Sequence, residues 1–294
     1  MSESTTIVAA HRSVFGEMLD PRNVLTIARK EIRDSLRNRW FLLYTGAFAA
    51  VSLGLSSLSL VGTGFTGFAG FGRTAASLIN VIMLLVPLMA LTAGASAIAG
   101  ERERGTLNYL LAQPVSRIEV MLGKYLGLAA AISAALALGF GLSAAVIAWR
   151  SQAADAWSFV RLVGLAWALA LSMLSVGMLI SVVARRPTAA LGAVIFLWLA
   201  LVFLGDLGLM GSAIVFRLEV EQLFNLSLIN PLQVFKMAAI GSLQASLDVL
   251  GPAGLYATRQ WGDSLDLLFG ALLSAWIIAP LAAACAVFSR RGGG

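Results

Sequence analysis

The chain has 294 residues, 59% of them hydrophobic and only 12% charged, with a formal net charge of +6. That composition excludes an ordinary soluble domain, and its long stretches without any charge exclude a soluble helical bundle, whose helices would carry a polar face. The basic excess does not point to nucleic acid, because Lys and Arg sit beside the apolar stretches and form no patch interleaved with aromatics.

The polar leader, residues 1–21, has no apolar core and does not read as a cleaved signal peptide, so the first apolar stretch is expected to act as an uncleaved insertion signal. Residues 22–40 place Leu25, Ala28, Ile32, Leu36 and Trp40 at three- and four-residue steps, with basic residues opposite and Pro21 at a helix start. This predicts an amphipathic elbow helix lying in the membrane interface, its guanidinium groups toward lipid phosphate.

Six stretches then lack Asp, Glu, Lys, Arg and His altogether: Phe41–Gly72, Thr74–Gly100, Tyr125–Trp149, Leu162–Ala184, Pro187–Gly205 and Leu267–Ser289. A bilayer core of roughly 30 Å takes about 20 apolar helical residues. The expected fold is therefore an all-α membrane protein with six spans, forming one domain over residues 41–289 with a short tail at 290–294. Pro87 is expected to kink the second span. Gly123 and Gly127 form a G-x-x-x-G pair suited to close helix approach, either inside the bundle or at a dimer interface. Trp40, Tyr44, Tyr125, Trp149 and Trp157 fall near span ends, as interfacial aromatics do, while Trp167, Trp198 and Trp276 lie deeper, in core packing or along a path.

Two connections stand out. Residues 100–124 place Glu101, Arg102, Glu103 and Arg104 at the end of an apolar helix, and Gly105-Thr106 then offers a helix stop and an N-cap. Leu107, Leu110 and Leu111 give a short apolar face, Pro114 ends it, and Ser116 opens the next helix. A short helix of this kind between two spans suits docking into a partner's groove. The other connection, residues 211–266, is long; Asn230-Pro231 reads as an N-cap and N1 pair opening a helix to about Ile240, and Gly251-Pro252 as a turn. Short amphipathic helices lying on the outer leaflet or capping the exit are expected there, with Asn230 and Pro231 facing an extracytoplasmic partner; the alternative is a re-entrant or interfacial lid without one.

Orientation follows from Lys and Arg. Arg12, Arg22, Arg29, Lys30, Arg33, Arg37, Arg39, Arg102, Arg104, Arg117, Lys124, Arg185, Arg186, Arg290 and Arg291 fall on one side; Arg73, Arg150, Arg161, Arg217, Lys236 and Arg259 fall on the other. Both termini are predicted cytoplasmic. No span interior holds an ionisable residue of the kind that marks a proton or ion relay, and only Asp206 comes near one. A single histidine, His11, a single cysteine, Cys285, and scattered methionines give no ligand spacing, so no metal site is read and no cofactor is expected on this chain. No G-x-x-x-x-G-K-[ST] phosphate loop occurs, nor any metalloprotease or serine-hydrolase motif, so the chain reads as a non-enzyme.

The run Glu101-Arg102-Glu103-Arg104-Gly105-Thr106-Leu107, with Leu110-Leu111 and Gln113-Pro114-Val115-Ser116-Arg117, resembles the loop of type-2 ABC exporter permeases. Six spans, an amphipathic elbow and a long outer segment before the last span extend the resemblance over nearly the whole chain. Within that family it looks most like the NosY-like permeases of the nitrous oxide reductase maturation system, with Asn230-Pro231 as further support. The resemblance implies an inner-membrane homodimer, a cytosolic ABC ATPase that binds the ATP, and a NosD-like periplasmic partner, working in the assembly of a copper–sulfur centre. It also implies that Glu101 to Leu111 is the region contacting the ATPase. Two other functions stay open on sequence alone: a generic exporter permease for a lipid, drug or other small substrate, and a non-transporting membrane scaffold for assembly factors.

Overall fold

The computed structural model describes residues 20–61, 68–150, 156–208, 211, 219–242 and 260–290. The regular structure among them is helical: α1 (Pro21–Arg37), α2 (Arg39–Val61), α3 (Phe68–Glu103), α4 (Thr106–Leu111), α5 (Arg117–Arg150), α6 (Ala156–Val183), α7 (Pro187–Phe203) with a π-helical turn at Leu204–Gly208, α8 (Val220–Ile229), α9 (Pro231–Ser242) and α10 (Leu265–Arg290). Five of these, α2, α3, α5, α6 and α10, are long and apolar enough to cross a membrane. The sixth expected span, α7, has 17 residues, at the short end of what a bilayer core requires, and the π-helical turn continues it. The protein is a multi-pass membrane protein.

The boundary between the first two expected spans moves. Phe68 to Gly72 belong to α3, which is one helix of 36 residues with Pro87 inside it. Residues 1–19 of the leader, residues 291–294 of the tail, Trp149 and the Gly251-Pro252 turn lie outside the described residues or side chains.

The bundle is assembled around α3 and α6. A Cβ added at Gly177 would stand 2.6 Å from the Leu91 carbonyl oxygen, and one at Gly94 would stand 2.7 Å from that of Leu174. Glycine at both positions lets the two backbones touch, a mode of association that bilayers favour because lipid offers no hydrophobic drive between helices. Ile82, Val86, Leu91 and Ile98 of α3 meet Leu169, Leu174 and Met178 of α6 in the core. Apolar side chains on the outside, among them Leu42, Leu43, Phe196 and Ile278, stay exposed. In a soluble protein such exposure would be anomalous; on a lipid-facing surface it is the expected state.

The α8–α9 pair departs from the expected outer-leaflet helices. It bends by 110° at Asn230 and sets α9 into the bundle, with Pro231, Leu232, Val234 and Phe235 buried. Phe224 of α8, Val234 and Met237 of α9 and Leu265, Phe269 and Leu273 of α10 form a second, smaller core there. The expected helix start at Asn230-Pro231 is present: Asn230 Oδ1 accepts from Leu232 N at 3.0 Å. Asn230 Nδ2 donates to the Leu201 carbonyl at 2.7 Å, so the pair is turned toward α7 and α9 runs into the bundle. The physical reason is that α9 is apolar on nearly all sides, which favours burial over an interfacial position.

Candidate functional site

The end of the bundle that carries the start of α2 and the end of α3 gathers α1, α4 and the start of α5. Helix α3 stops at Gly105, whose φ of 72° is the left-handed conformation that glycine adopts without strain. Thr106 does not cap α4 as expected. It is the first residue of that helix, and its hydroxyl donates to the Glu101 carbonyl at 3.3 Å, closing α3 instead. Ser116 does open α5, through a reciprocal pair: Glu119 N donates to Ser116 Oγ at 3.2 Å, and Ser116 N donates to Glu119 Oε2 at 2.7 Å.

The loop sorts its residues into two faces. Leu107 is buried, and Leu110 and Leu111 pack against the main core. Glu103, Arg104, Thr106, Asn108 and Gln113 are exposed, and Tyr109 is 79% exposed. Tyr109 was not singled out by sequence pattern. The signal was there in its place opposite the leucines on a one-and-a-half-turn helix. Arg102 faces inward and donates from Nη1 to the Ala184 carbonyl at 2.7 Å, closing the end of α6.

Glu101 stands apart from the exposed charges of the loop. It is buried, and its Oε1 accepts from Lys124 Nζ at 2.8 Å and from Lys30 Nζ at 2.8 Å. Lys124, only 1% exposed, also reaches Glu31 Oε1 on α1 at 2.6 Å. Lys30 completes the cluster with Glu31 and Asp34, each at 3.4 Å. Partial burial acts to lower the Lys30 pKa, but the hydrogen bond to Glu101 and the charges of Glu31, Glu101 and Asp34 outweigh it and hold the group above its usual range. Lys30 is therefore charged across the physiological range.

Helix α1 is docked by a face that shares only Ala28 with the apolar stripe, with Ile32 at its edge. Asp20 caps it, accepting from Arg22 N at 2.9 Å, and Pro21 stands at its first turn. Its buried residues are Ile27, Ala28, Glu31 and Ser35, whereas Leu25, Leu36 and Trp40 are exposed and Ile32 is half-buried. Nor does the helix run through to Trp40, because Asn38 is extended and separates α1 from α2. The small and polar face turns inward because α5 offers Gly123 and Gly127. A Cβ at Gly127 would stand 2.6 Å from the Ala28 carbonyl oxygen, and one at Gly123 would stand 2.7 Å from Ile27 Cβ. The G-x-x-x-G pair thus packs α1 within the chain. The apolar stripe of α1 is left facing outward beside Arg29 and Arg33.

A groove of about 1010 Å³ opens next to this cluster, between α1 and α2 on one side and α3 and α7 on the other. Phe41, Tyr44, Met89, Ala93, Leu191 and Ile195 give it apolar walls, with Lys30, Glu101 and Lys124 at its charged end.

Residues 25–292 match the ABC-2 family transporter protein family. The chain belongs to that family. A protein of Stutzerimonas stutzeri named "Probable ABC transporter permease protein NosY" is 31% identical over 274 residues, 91% of this chain and 98% of that protein. One of the same name from Pseudomonas aeruginosa is 32% identical over 277 residues, again 91% of this chain and 98% of that protein. The chain is thus an ABC transporter permease similar to NosY, and a permease of this kind implies an ATPase subunit as partner. Among the described residues no group of three or more His, Cys, Asp or Glu is arranged to hold a metal ion. Tyr125, expected at the membrane interface, is buried between α5 and α6, its hydroxyl donating to the Leu171 carbonyl at 3.3 Å and accepting from Ser175 Oγ. Trp167, half exposed, donates to Ser133 Oγ at 2.7 Å, while Trp198 and Trp276 pack against the core.

Proposed function

We propose that this permease is the membrane subunit of an ATP-driven exporter in which a separate cytosolic ATPase docks on α4. The observation that carries the reading is the two-faced loop: leucines hold α4 to the bundle while Tyr109, Glu103 and Arg104 are left exposed at its tip. Such a fixed, exposed helix between two spans passes motion inward when a partner grips it. The end bearing α1 and α4 faces the cytoplasm of the inner membrane, a reading that the uneven distribution of Lys and Arg supports. Helix α1 lies at the lipid interface as the elbow, its exposed Leu25 and Leu36 in the acyl boundary and Arg29 and Arg33 toward anionic headgroups.

Two copies make the working unit. Helix α7 presents Ile195, Phe196, Leu199 and Phe203 as an exposed apolar face beside the groove, which supports this stoichiometry. The similarity to proteins named NosY supports the narrower reading, in which the exporter serves copper–sulfur cofactor assembly with a periplasmic partner and the copper or sulfur species is cargo.

Purifying the tagged chain from its native membrane, and identifying what stays bound, tests this. A stoichiometric ATPase is expected, with a periplasmic repeat protein if the narrower reading holds. A folded preparation without any nucleotide-binding protein would favour a non-transporting scaffold. Glu103→Lys with Tyr109→Ala is expected to reduce ATPase capture at least tenfold while leaving the yield of folded chain unchanged. Unchanged capture would remove the docking role from α4.

A further inference from the structure

ATPase docking on α4 does not by itself require a lysine buried to 1% behind that helix. A buried charge is costly, and its best-attested use is to fix one arrangement of elements over others. We propose that Lys124 is a positioning residue that locks α1 and the α4 loop into one rigid body, so that displacement of α4 is passed to α1 and through Asn38 into α2. The proposal rests on the permease reading and deepens it to the route by which motion at the docking helix enters the membrane.

Three sets of contacts carry it. First, Lys124 Nζ bridges Glu31 Oε1 of α1 at 2.6 Å and Glu101 Oε1 of α3 at 2.8 Å. Glu101 is also the residue whose carbonyl takes the Thr106 hydroxyl at the start of α4, so α4 and Lys124 act on one residue from two sides. Second, Gly123 and Gly127 flank Lys124 and bring the α1 backbone against α5, which leaves no room for α1 to slide over the lysine. Third, Glu119 at the start of α5 holds the N-terminal end of α1. Its Oε1 accepts from Asp20 N at 2.6 Å and its Oε2 accepts from Asn23 Nδ2 at 3.4 Å. Helix α1 is thereby fixed at its first turn and again near its middle.

The connection onward is short. Asn38 alone separates α1 from α2; its N–H donates to the Ser35 carbonyl at 3.0 Å, and its Oδ1 accepts from Trp40 N at 3.0 Å. A rotation of α1 therefore has one residue in which to dissipate before it reaches α2, a wall of the groove. An ionic bridge suits this task better than apolar contact, because its geometry is directional and its loss leaves Glu31 and Glu101 with only the half-exposed Lys30 as a shared cation.

The test uses the full-length chain in a Cys285→Ser background, with spin labels at Arg33→Cys on α1 and Gln113→Cys after α4. Pulsed dipolar spectroscopy is expected to give one narrow distance, unchanged when a non-hydrolysable ATP analogue is added to the complex with its ATPase. Lys124→Met should at least double the width of that distribution and make it respond to nucleotide, and Lys124→Arg should restore the narrow distance. In the Lys124→Met complex, ATP hydrolysis should persist while nucleotide no longer alters the accessibility of α2. A distribution as narrow in Lys124→Met as in the parent would overturn the proposal, and so would a parent distance that shifts with nucleotide. If Lys124→Met fails to fold, Glu31→Gln removes the α1 half of the bridge alone and must give the same broadening. The width measurement needs no ATPase, so a chain that retains none would undo the proposed ATPase docking on α4 and leave this result standing.

Discussion

Two crossings in this molecule are paved with glycine, and they differ in what lies between the glycines. Where α3 meets α6, Gly94 and Gly177 bring backbone against backbone, and the surroundings are Leu, Ile and Met. Where α1 meets α5, Gly123 and Gly127 do the same, but between them, next to Gly123, stands Lys124, which joins α1, α3 and α5 through carboxylates. The first crossing sits at the centre of the core; the second holds a short helix at the edge of the bundle. Close packing alone serves where neighbours enclose the contact on all sides. At the edge, where fewer neighbours enclose α1, directional charges supplement it.

The largest expected effect is at the central crossing. A Cβ at Gly177 would press on Leu91 backbone atoms at 2.6 and 3.1 Å, and no rotamer change relieves a clash with backbone. Gly177→Ala is expected to cost about 1–3 kcal/mol of stability through overpacking, seen as a lower unfolding temperature of the whole chain in detergent. An unchanged transition would show that α3 and α6 separate freely, and the contrast between the crossings would lose its basis.

Gly127→Ala should act more locally. The added carbon meets the Ala28 carbonyl and Glu31 Cβ, both at 2.6 Å, so α1 is pushed off α5 and Lys124 loses Glu31. Since α1 is peripheral, the expected result is faster hydrogen exchange and proteolytic cleavage within residues 21–37, with a smaller shift of the main transition than Gly177→Ala gives. A main transition lowered as far as in Gly177→Ala would mean that α1 is part of the central core.

Much of this was legible in the sequence, and the remainder was not for identifiable reasons. Uncharged stretches gave the long helices because bilayer burial needs length and little else. Local signals such as Pro21, Gly105 and Ser116 marked helix ends correctly, because the contacts that set these ends lie within a few residues. The face of α1 that packs on α5 was not legible, because apolar periodicity marks one stripe and says nothing of a contact built on glycines of another helix. The stripe of Leu25 and Leu36 is exposed, and Ala28, Glu31 and Ser35 turn in. The partners of Lys124 are 93 and 23 residues away in sequence, and no local pattern announces them. The insertion of α9 was missed for a related reason: its position depends on a pocket made by α6 and α10, and Asn230-Pro231 encodes only where the helix starts.

The smallest effect separates the two lysines that share Glu101. Lys30 lies at the same distance from Glu101 as Lys124 does, 2.8 Å, but its side chain is 50% exposed. Solvent screens an exposed pair, so Lys30→Met is expected to cost at most about 1 kcal/mol. Because the folded pKa of Lys30 is raised, its contribution is fully present below the unfolded value of about 10.4 and is lost only as pH rises through the higher folded value. Stability of the parent minus that of Lys30→Met should therefore be flat from about pH 6 to 9. A slope in that range would mean that a carboxylate of the cluster titrates there, and Glu101, whose Oε2 is buried without a partner, is the first group to examine. Burial accounts for the difference between the two lysines: the same ionic distance organises three helices at Lys124 and adds little at Lys30, because water reaches only one of them.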